Sequence, residues 1–176
     1  MRERLARVRV PLGFAFAVVG FWLAAPTRVT LAIGGAIAAV GEALRVWAAG
    51  HLNKSREVTA SGPYRWFAHP LYVGSSVMGA GLAVASNSVS VALLIALYLG
   101  GAITAAIRSE EAFLRVRFGD AYDGYRRAGQ VDRERRFAWR QAMANREYRA
   151  VAGLAAAVLL LVLKATYNGT FWGAAR

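Results

Sequence analysis

The apolar residues of this chain are gathered into long blocks that charged stretches separate, and this arrangement restricts the fold more than any other feature. Apolar blocks of this length are typical of helices that cross a membrane. Inside a bilayer the backbone polar groups must be satisfied within the segment itself, which favours helices. The sequence therefore predicts an all-α integral membrane bundle of about five transmembrane helices, covering residues 11–26, 29–50, 71–85, 89–107 and 150–167.

The composition supports one membrane-embedded domain over residues 1–176. The chain is 57% hydrophobic and 18% charged, which is too apolar for an ordinary soluble domain of this length. Blocks three and four are separated only by Ser86, Asn87 and Ser88, so a tight helical hairpin is expected. Basic residues precede the first block, as in a signal peptide, but further spans follow it, so we expect a retained first helix.

The formal net charge of +12 follows the predicted membrane topology. Apart from Arg28, Arg45, Lys164 and Arg176, every Lys and Arg lies in the N-terminal arm, in the loop 51–70 or in the segment 108–149. Five crossings place these three stretches on one side, so the positive-inside rule predicts a cytoplasmic N-terminus and a C-terminus on the opposite side. Anionic lipids are the expected partners of this charge, and nucleic acid is not.

The chain contains no cysteine and only two histidines, His51 and His69. Disulfides, thiolate metal sites and cysteine nucleophiles are therefore excluded, and no metal site is expected.

Small residues recur at four-residue spacing in three of the predicted spans, a pattern that lets helices approach closely in lipid. These positions are Gly34 and Ala38, with Glu42 next at the same spacing, then Ser75, Gly79 and Ala83, then Ala96, Gly100 and Thr104.

The segment 108–149 is predicted to continue the fourth helix beyond the membrane and to break at Gly119. Tyr122 and Tyr125 would lie on a second short helix. Residues 126–149 are rich in charge and have interleaved aromatics, which is typical of an interfacial helix that leads into the last span.

Two ionisable residues, Glu42 and Arg45, lie at membrane depth in the second span. At positions i and i+3 they share a helix face, so they can pair with each other, and Arg45 could also bind an anionic group of a substrate.

A second group of reactive side chains lies at the start of the third span. His69 precedes Pro70, which suits the first turn of a helix, so His69 is expected at the helix cap. The residues that should face the same side of the membrane as Glu110 and Glu111 are Tyr64, Arg65, His69 and Tyr72. Those two carboxylates follow the fourth span and need a cationic or hydroxyl-bearing partner, which could be Arg108, Arg115 or a ligand.

The stretches GPYRWFAHPLYVG (62–74) and EEAFLRVRFGDAYDGY (110–125), with a hairpin between them, resemble the isoprenylcysteine carboxyl methyltransferase family and the related phospholipid N-methyltransferases. The resemblance covers residues 41–127, and residues 128–176 add the interfacial helix and an extra C-terminal span. It implies a membrane enzyme that binds S-adenosylmethionine from the cytoplasm and methylates a lipophilic acceptor.

The resemblance also assigns roles to residues. It implies that Arg45 holds the acceptor carboxylate and that Glu110 lies near the reacting centre. The residues implied to bind the cofactor are Gly62, Pro63, Tyr64, His69, Pro70, Tyr72, Glu110 and Glu111. The family's Arg before His-Pro is Ala68 here, and Arg65 or Arg56 could replace its contact. The acceptor favoured by the resemblance is an isoprenylcysteine-like carboxylate.

The sequence is also compatible with other functions. A phospholipid or other lipid amine is the alternative acceptor, for which Glu110 or His69 would be the candidate base. A sterol-type reductase using NADPH is a less favoured alternative, because the glutamate pair opposes a 2′-phosphate. A non-catalytic membrane anchor is a third. The extra span could help to form the acceptor pocket or serve only as an anchor.

Overall fold

A computed structural model describes residues 2–53, 59–119 and 136–173, with side chains from residue 13 onward except that of Phe118. Within these ranges the chain is helical and has no strand, which confirms the predicted all-α class. The α-helices are α1 (Arg2–Leu23), α2 (Arg28–His51), α3 (Pro70–Ser86), α4 (Val89–Phe118), α5 (Trp139–Ala144) and α6 (Tyr148–Tyr167), and a short 3₁₀ helix covers Gly62–Arg65.

Three of the described helices, α2, α4 and α6, are long and apolar enough to cross a bilayer. The first and third predicted spans form shorter apolar helices, Gly13–Leu23 and Pro70–Ser86. The chain is thus an integral membrane protein, with three candidate spanning helices and two shorter apolar helices packed among them. At about 1.5 Å per residue the 17-residue α3 is shorter than the hydrocarbon core.

Helices α2 and α3 pack with their backbones in close contact, because glycine faces the partner helix at each crossing point. A Cβ on Gly34 would lie 2.3 Å from the backbone N of Ala85, and one on Gly81 would lie 2.3 Å from that of Ala38. Nearer the other end, a Cβ on Gly41 would lie 2.4 Å from the backbone N of Met78. Only glycine permits this approach, which is how helices associate where lipid replaces water.

Of the predicted small-residue stripes, Gly34 and Ala38 in α2 contact α3, and Gly79 in α3 packs against α4. Gly74 and Gly81 are the α3 glycines that meet the α2 backbone, while Gly79 faces Leu99 of α4. No described atom lies within 4 Å of a Cβ built on Gly100. Four-residue spacing occurs on several faces of an alanine- and glycine-rich helix, so spacing alone does not identify the packed face.

The predicted helix ends at both sides of α4 are confirmed. Asn87 ends α3 in the left-handed region at φ 49°, and the Ser88 hydroxyl accepts a hydrogen bond from the N–H of Val91 at 3.4 Å to cap α4. At the other end Gly119, with φ 45°, follows the last residue of α4. Tyr122 and Tyr125 lie outside the described residues. Of the predicted interfacial helix, the described part contains the six-residue α5.

The last helix, α6, is bound to its neighbours at both ends. Lys164 Nζ donates to the carbonyl oxygens of Phe21 and Trp22, the latter at 2.8 Å, at the C-terminal end of α1. Carbonyls at a helix end lack partners within the helix, so this ammonium caps α1. Glu147, just before α6, contacts Arg45 of α2. The fifth span is therefore packed into the bundle.

Candidate active site at one end of the bundle

The loop before α3 is held by buried residues of the 3₁₀ helix. Pro63 and Tyr64 are buried, and the N–H groups of Trp66 and Phe67 both donate to the Pro63 carbonyl at 3.1 Å. Gly62 has φ 58°, and a Cβ there would lie 2.7 Å from the His51 ring. Backbone conformation and packing against His51 thus both require glycine at this position.

His69 and Tyr72 lie at the beginning of α3 and face the glutamate pair of α4. His69 is the residue before the first helical position, as predicted, and its side chain makes no capping hydrogen bond. Its Nε2 atom lies 3.5 Å from Glu111 Oε1, and its Nδ1 atom lies 3.9 Å from Glu110 Oε2. The Tyr72 hydroxyl donates to Glu110 Oε2 at 3.0 Å. The α3–α4 hairpin therefore brings together these four predicted residues, which we name the carboxylate wall.

The carboxylate wall remains partly accessible. The side chains of Glu110 and Glu111 are 39% and 21% exposed, whereas that of His69 is 15% exposed. Tyr72 gives Glu110 a hydrogen-bond donor and leaves room for a ligand on the exposed side of the carboxylate. Two carboxylates with a phenol and an imidazole suit a ligand that carries hydroxyl groups or positive charge.

Arg45 lies in a second polar group, on the α2 side of α3. Its Nε atom is 3.5 Å from Glu42 Oε2, which confirms the predicted pairing within α2, and 2.7 Å from Glu147 Oε1. Its Nη1 atom donates to the Ser75 hydroxyl and to the Leu71 carbonyl, the latter at 3.5 Å. We name Glu42, Arg45, Ser75 and Glu147 the arginine cluster.

The arginine cluster is buried and holds two carboxyl groups against one guanidinium. Glu42 and Glu147 are 6% and 5% exposed. Within the described part of the chain, both Glu42 oxygens and Glu147 Oε1 lack a hydrogen-bond partner, because the short Arg45 contacts are not aligned with an N–H bond. Sequence reasoning missed Glu147, which stands in a strongly charged stretch. Its one distinguishing signal is its position directly before an apolar helix, where a carboxylate is favoured.

A cavity of about 320 Å³ opens between the apolar helices and reaches the arginine cluster. It is lined by residues of α1, α3, α4 and α6, almost all of them apolar, and Ser75 forms part of its wall. Ser75 therefore links the cavity to Arg45, while Tyr72, three residues earlier in α3, belongs to the carboxylate wall.

The position of the expected family arginine, Ala68, is exposed at the loop surface next to His69. Arg65, one of the two candidate replacements, is also exposed, and Arg56 lies outside the described residues.

Comparison with known proteins gives one family. The model of the phospholipid methyltransferase family matches residues 8–121. That range includes Arg45 and the whole carboxylate wall and ends before Glu147.

Two curated relatives carry names that refer to metal resistance. The chain is 34% identical over 108 residues, or 60% of its length, to the nickel-cobalt-cadmium resistance protein NccN of Alcaligenes xylosoxydans xylosoxydans. It is 31% identical over 137 residues, or 72% of its length, to the cobalt-zinc-cadmium resistance protein CzcN of Cupriavidus metallidurans. The matches span 49% and 62% of these relatives. No solved structure matches the chain.

Proposed function

The chain belongs to the phospholipid methyltransferase family, and from this premise we propose that it transfers methyl groups from S-adenosylmethionine to the amine head group of a lipophilic acceptor. The observation that carries the proposal is the carboxylate wall, in which His69 and Tyr72 meet Glu110 and Glu111 across the hairpin. The isoprenylcysteine-like carboxylate implied by the sequence resemblance is the competing acceptor.

The residues of the wall fit the proposed cofactor by their chemistry. S-adenosylmethionine carries a ribose diol, an ammonium group and a sulfonium sulfur, and each of these interacts favourably with a carboxylate. Glu110 and Glu111 would hold it, and Tyr72 would fix the orientation of Glu110. The buried residues Pro63 and Tyr64 would keep the loop in place, with Gly62 and Pro70 shaping the turn into α3.

The chemistry requires little beyond positioning. When bound, S-adenosylmethionine would supply a methyl group for in-line attack by an acceptor lone pair, with S-adenosylhomocysteine as the leaving group. An ammonium acceptor must lose a proton before it has such a lone pair, and Glu110 or His69 would take that proton. Packed helices that exclude water and hold the acceptor provide the remaining assistance.

The apolar cavity supports a lipophilic acceptor. It lies among helices that face lipid, and its lining of aliphatic and aromatic residues suits a hydrocarbon tail. Ser75 connects it to the polar groups at the beginning of α3, where the acceptor head group would lie.

The arginine cluster favours an amine head group. A carboxylate acceptor would need Arg45 as its counter-ion, but the Arg45 Nε atom already contacts Glu42 and Glu147. A third carboxylate in this buried group would be repelled by Glu42 and Glu147, because little solvent is present to screen the charges. An ammonium group would balance the excess negative charge of the two carboxylates.

The distribution of basic residues supports a cytoplasmic position for the site, with the C-terminus on the opposite side. The names of the two relatives suggest a setting of metal stress. Within the described ranges, however, no group of three or more His, Asp and Glu side chains could hold a metal ion, so no observation favours metal binding.

Purified protein in lipid nanodiscs tests the proposal. We expect S-adenosylhomocysteine to bind and NADPH not to bind in equilibrium titrations. Radiolabelled methyl groups should pass from S-adenosylmethionine to an amine lipid in a total lipid extract. Glu110→Gln should abolish transfer while the protein stays folded, and Ser109→Ala, an adjacent exposed position, should behave as wild type. Binding of NADPH alone, or full activity of Glu110→Gln, would contradict the proposal.

A further inference from the structure

Glu147 is a buried carboxylate supplied by the part of the chain beyond the family match, which ends at residue 121. It contacts Arg45, a residue inside that match. The C-terminal segment thus contributes a carboxyl group to the arginine cluster, whose other residues lie within the family match.

Helix α5 fixes the position of Glu147 by capping α2. The Asn145 side-chain amide donates to the carbonyls of Ala49 and Leu52 at 2.8 and 2.9 Å, and that of Gln141 donates to Leu52 at 2.7 Å. Carbonyls in the last turn of a helix have no partner within the helix, so these amides bind α5 across the end of α2. Arg146 then turns the chain with φ 61°, and Glu147 follows at the start of α6.

Two features distinguish Glu147 from a simple counter-ion of Arg45. Glu42 already lies beside the same Nε atom, so Glu147 adds a second carboxyl group to one guanidinium. The Glu42 oxygens are buried and have no hydrogen-bond partner within the described residues. A buried carboxylate without an aligned hydrogen bond is costly even beside a guanidinium, and a cationic ligand that reaches it is favoured.

We propose that Glu147 is a positioning residue that gives the acceptor site its charge preference. It holds the Arg45 guanidinium, so that Arg45 does not bind an anionic head group and the cluster accepts an ammonium group. This inference rests on the proposed function, because it specifies which acceptors the same site takes. Removal of the Glu147 charge would release Arg45 toward anionic lipids.

The test measures lipid binding apart from catalysis. Oleylamine and oleic acid have the same tail and opposite charge, and their affinities for the full-length protein can be compared by native mass spectrometry. We expect wild type to prefer oleylamine and Glu147→Gln to shift the affinity ratio by about tenfold or more toward oleic acid, as for loss of a buried charge partner. Glu147→Asp should restore most of the preference. Arg149→Gln, at an exposed position two residues after Glu147, should keep the wild-type ratio.

A double variant covers the case in which Glu147→Gln folds poorly. If Glu147 acts through Arg45, then Arg45→Gln combined with Glu147→Gln should show the same lipid preference as Arg45→Gln alone. An unchanged ratio in Glu147→Gln, or an equal loss of S-adenosylhomocysteine affinity, would overturn the inference. A wild type that shows the binding preference without methyl transfer would refute the proposed function and leave the role of Glu147 intact.

Discussion

Arg45 Nε lies 2.7 Å from Glu147 Oε1 and 3.5 Å from Glu42 Oε2, so one guanidinium in the second helix joins a carboxylate of its own helix to one from the C-terminal segment. This contact makes α6 part of the site, together with its share of the cavity wall. Of the two roles expected for the extra span, its position favours a contribution to the proposed acceptor pocket.

Removal of the Arg45 charge should destabilise the bundle. Arg45→Met leaves Glu42 and Glu147 buried without a counter-ion, so we expect a loss of about 3–5 kcal/mol in the free energy of unfolding. Unfolding of the detergent-solubilised protein by a denaturing detergent measures this change. Arg149→Met, which removes an exposed arginine, is the control. Equal stability of the two variants would show that the Arg45 contacts contribute nothing.

The close packing of α2 on α3 predicts opposite effects at neighbouring glycines. Gly34→Ala places a methyl group 2.3 Å from backbone of α3 and should destabilise the protein by about 1–3 kcal/mol or more. Gly35→Ala meets no described atom within 4 Å and should be neutral or stabilising by about 1 kcal/mol, because alanine favours helix over glycine. The same unfolding assay compares the two, and an equal effect would contradict the described interface.

Loss of the Tyr72 hydroxyl should weaken cofactor binding. Tyr72→Phe removes the 3.0 Å hydrogen bond to Glu110, and a bond to a charged group is worth about 1.5–3 kcal/mol, or roughly ten- to a hundredfold in affinity. Titration with S-adenosylhomocysteine measures the effect. Tyr167→Phe, at an exposed position outside the site, should bind as wild type does. Unchanged affinity in Tyr72→Phe would remove this residue from the proposed cofactor site.

The proposed orientation can be tested by thiol labelling, since the chain has no cysteine of its own. Val89→Cys at the α3–α4 turn should react with a membrane-impermeant maleimide in intact cells. Arg140→Cys in α5 should react only after the membrane is permeabilised. Both positions are exposed. The reverse pattern would place the site on the outer face and contradict the charge-based topology.

Sequence reasoning located the carboxylate wall because each of its parts has a local signal. His69-Pro70 marks a helix start. Glu110 and Glu111 follow an apolar run that is long enough to return, antiparallel to α3, to the level at which α3 begins. A short turn at Ser86, Asn87 and Ser88 then forces the two helix ends together. The pairing of Glu42 with Arg45 was equally predictable from their spacing within one helix.

In the arginine cluster, the pairing of Glu42 with Arg45 could be predicted from the sequence, but the contribution of Glu147 could not. Glu147 stands among exposed charged residues, and its burial depends on α5, whose amides cap a helix far away in the sequence. Which glycines of α3 contact α2 was also not predictable from spacing, because small residues occur on several faces of that helix.

The sequence by itself determined the membrane helices, their order and the end of the bundle that carries the reactive side chains. Apolar length, proline and glycine act within a few residues of where they stand, so these features can be recognised one segment at a time. Only the tertiary structure decided that Arg45 lies between two carboxyl groups, because that contact depends on how distant helices pack. Burial gives this contact its proposed influence on charge preference, since a low-dielectric interior strengthens interactions that water would screen.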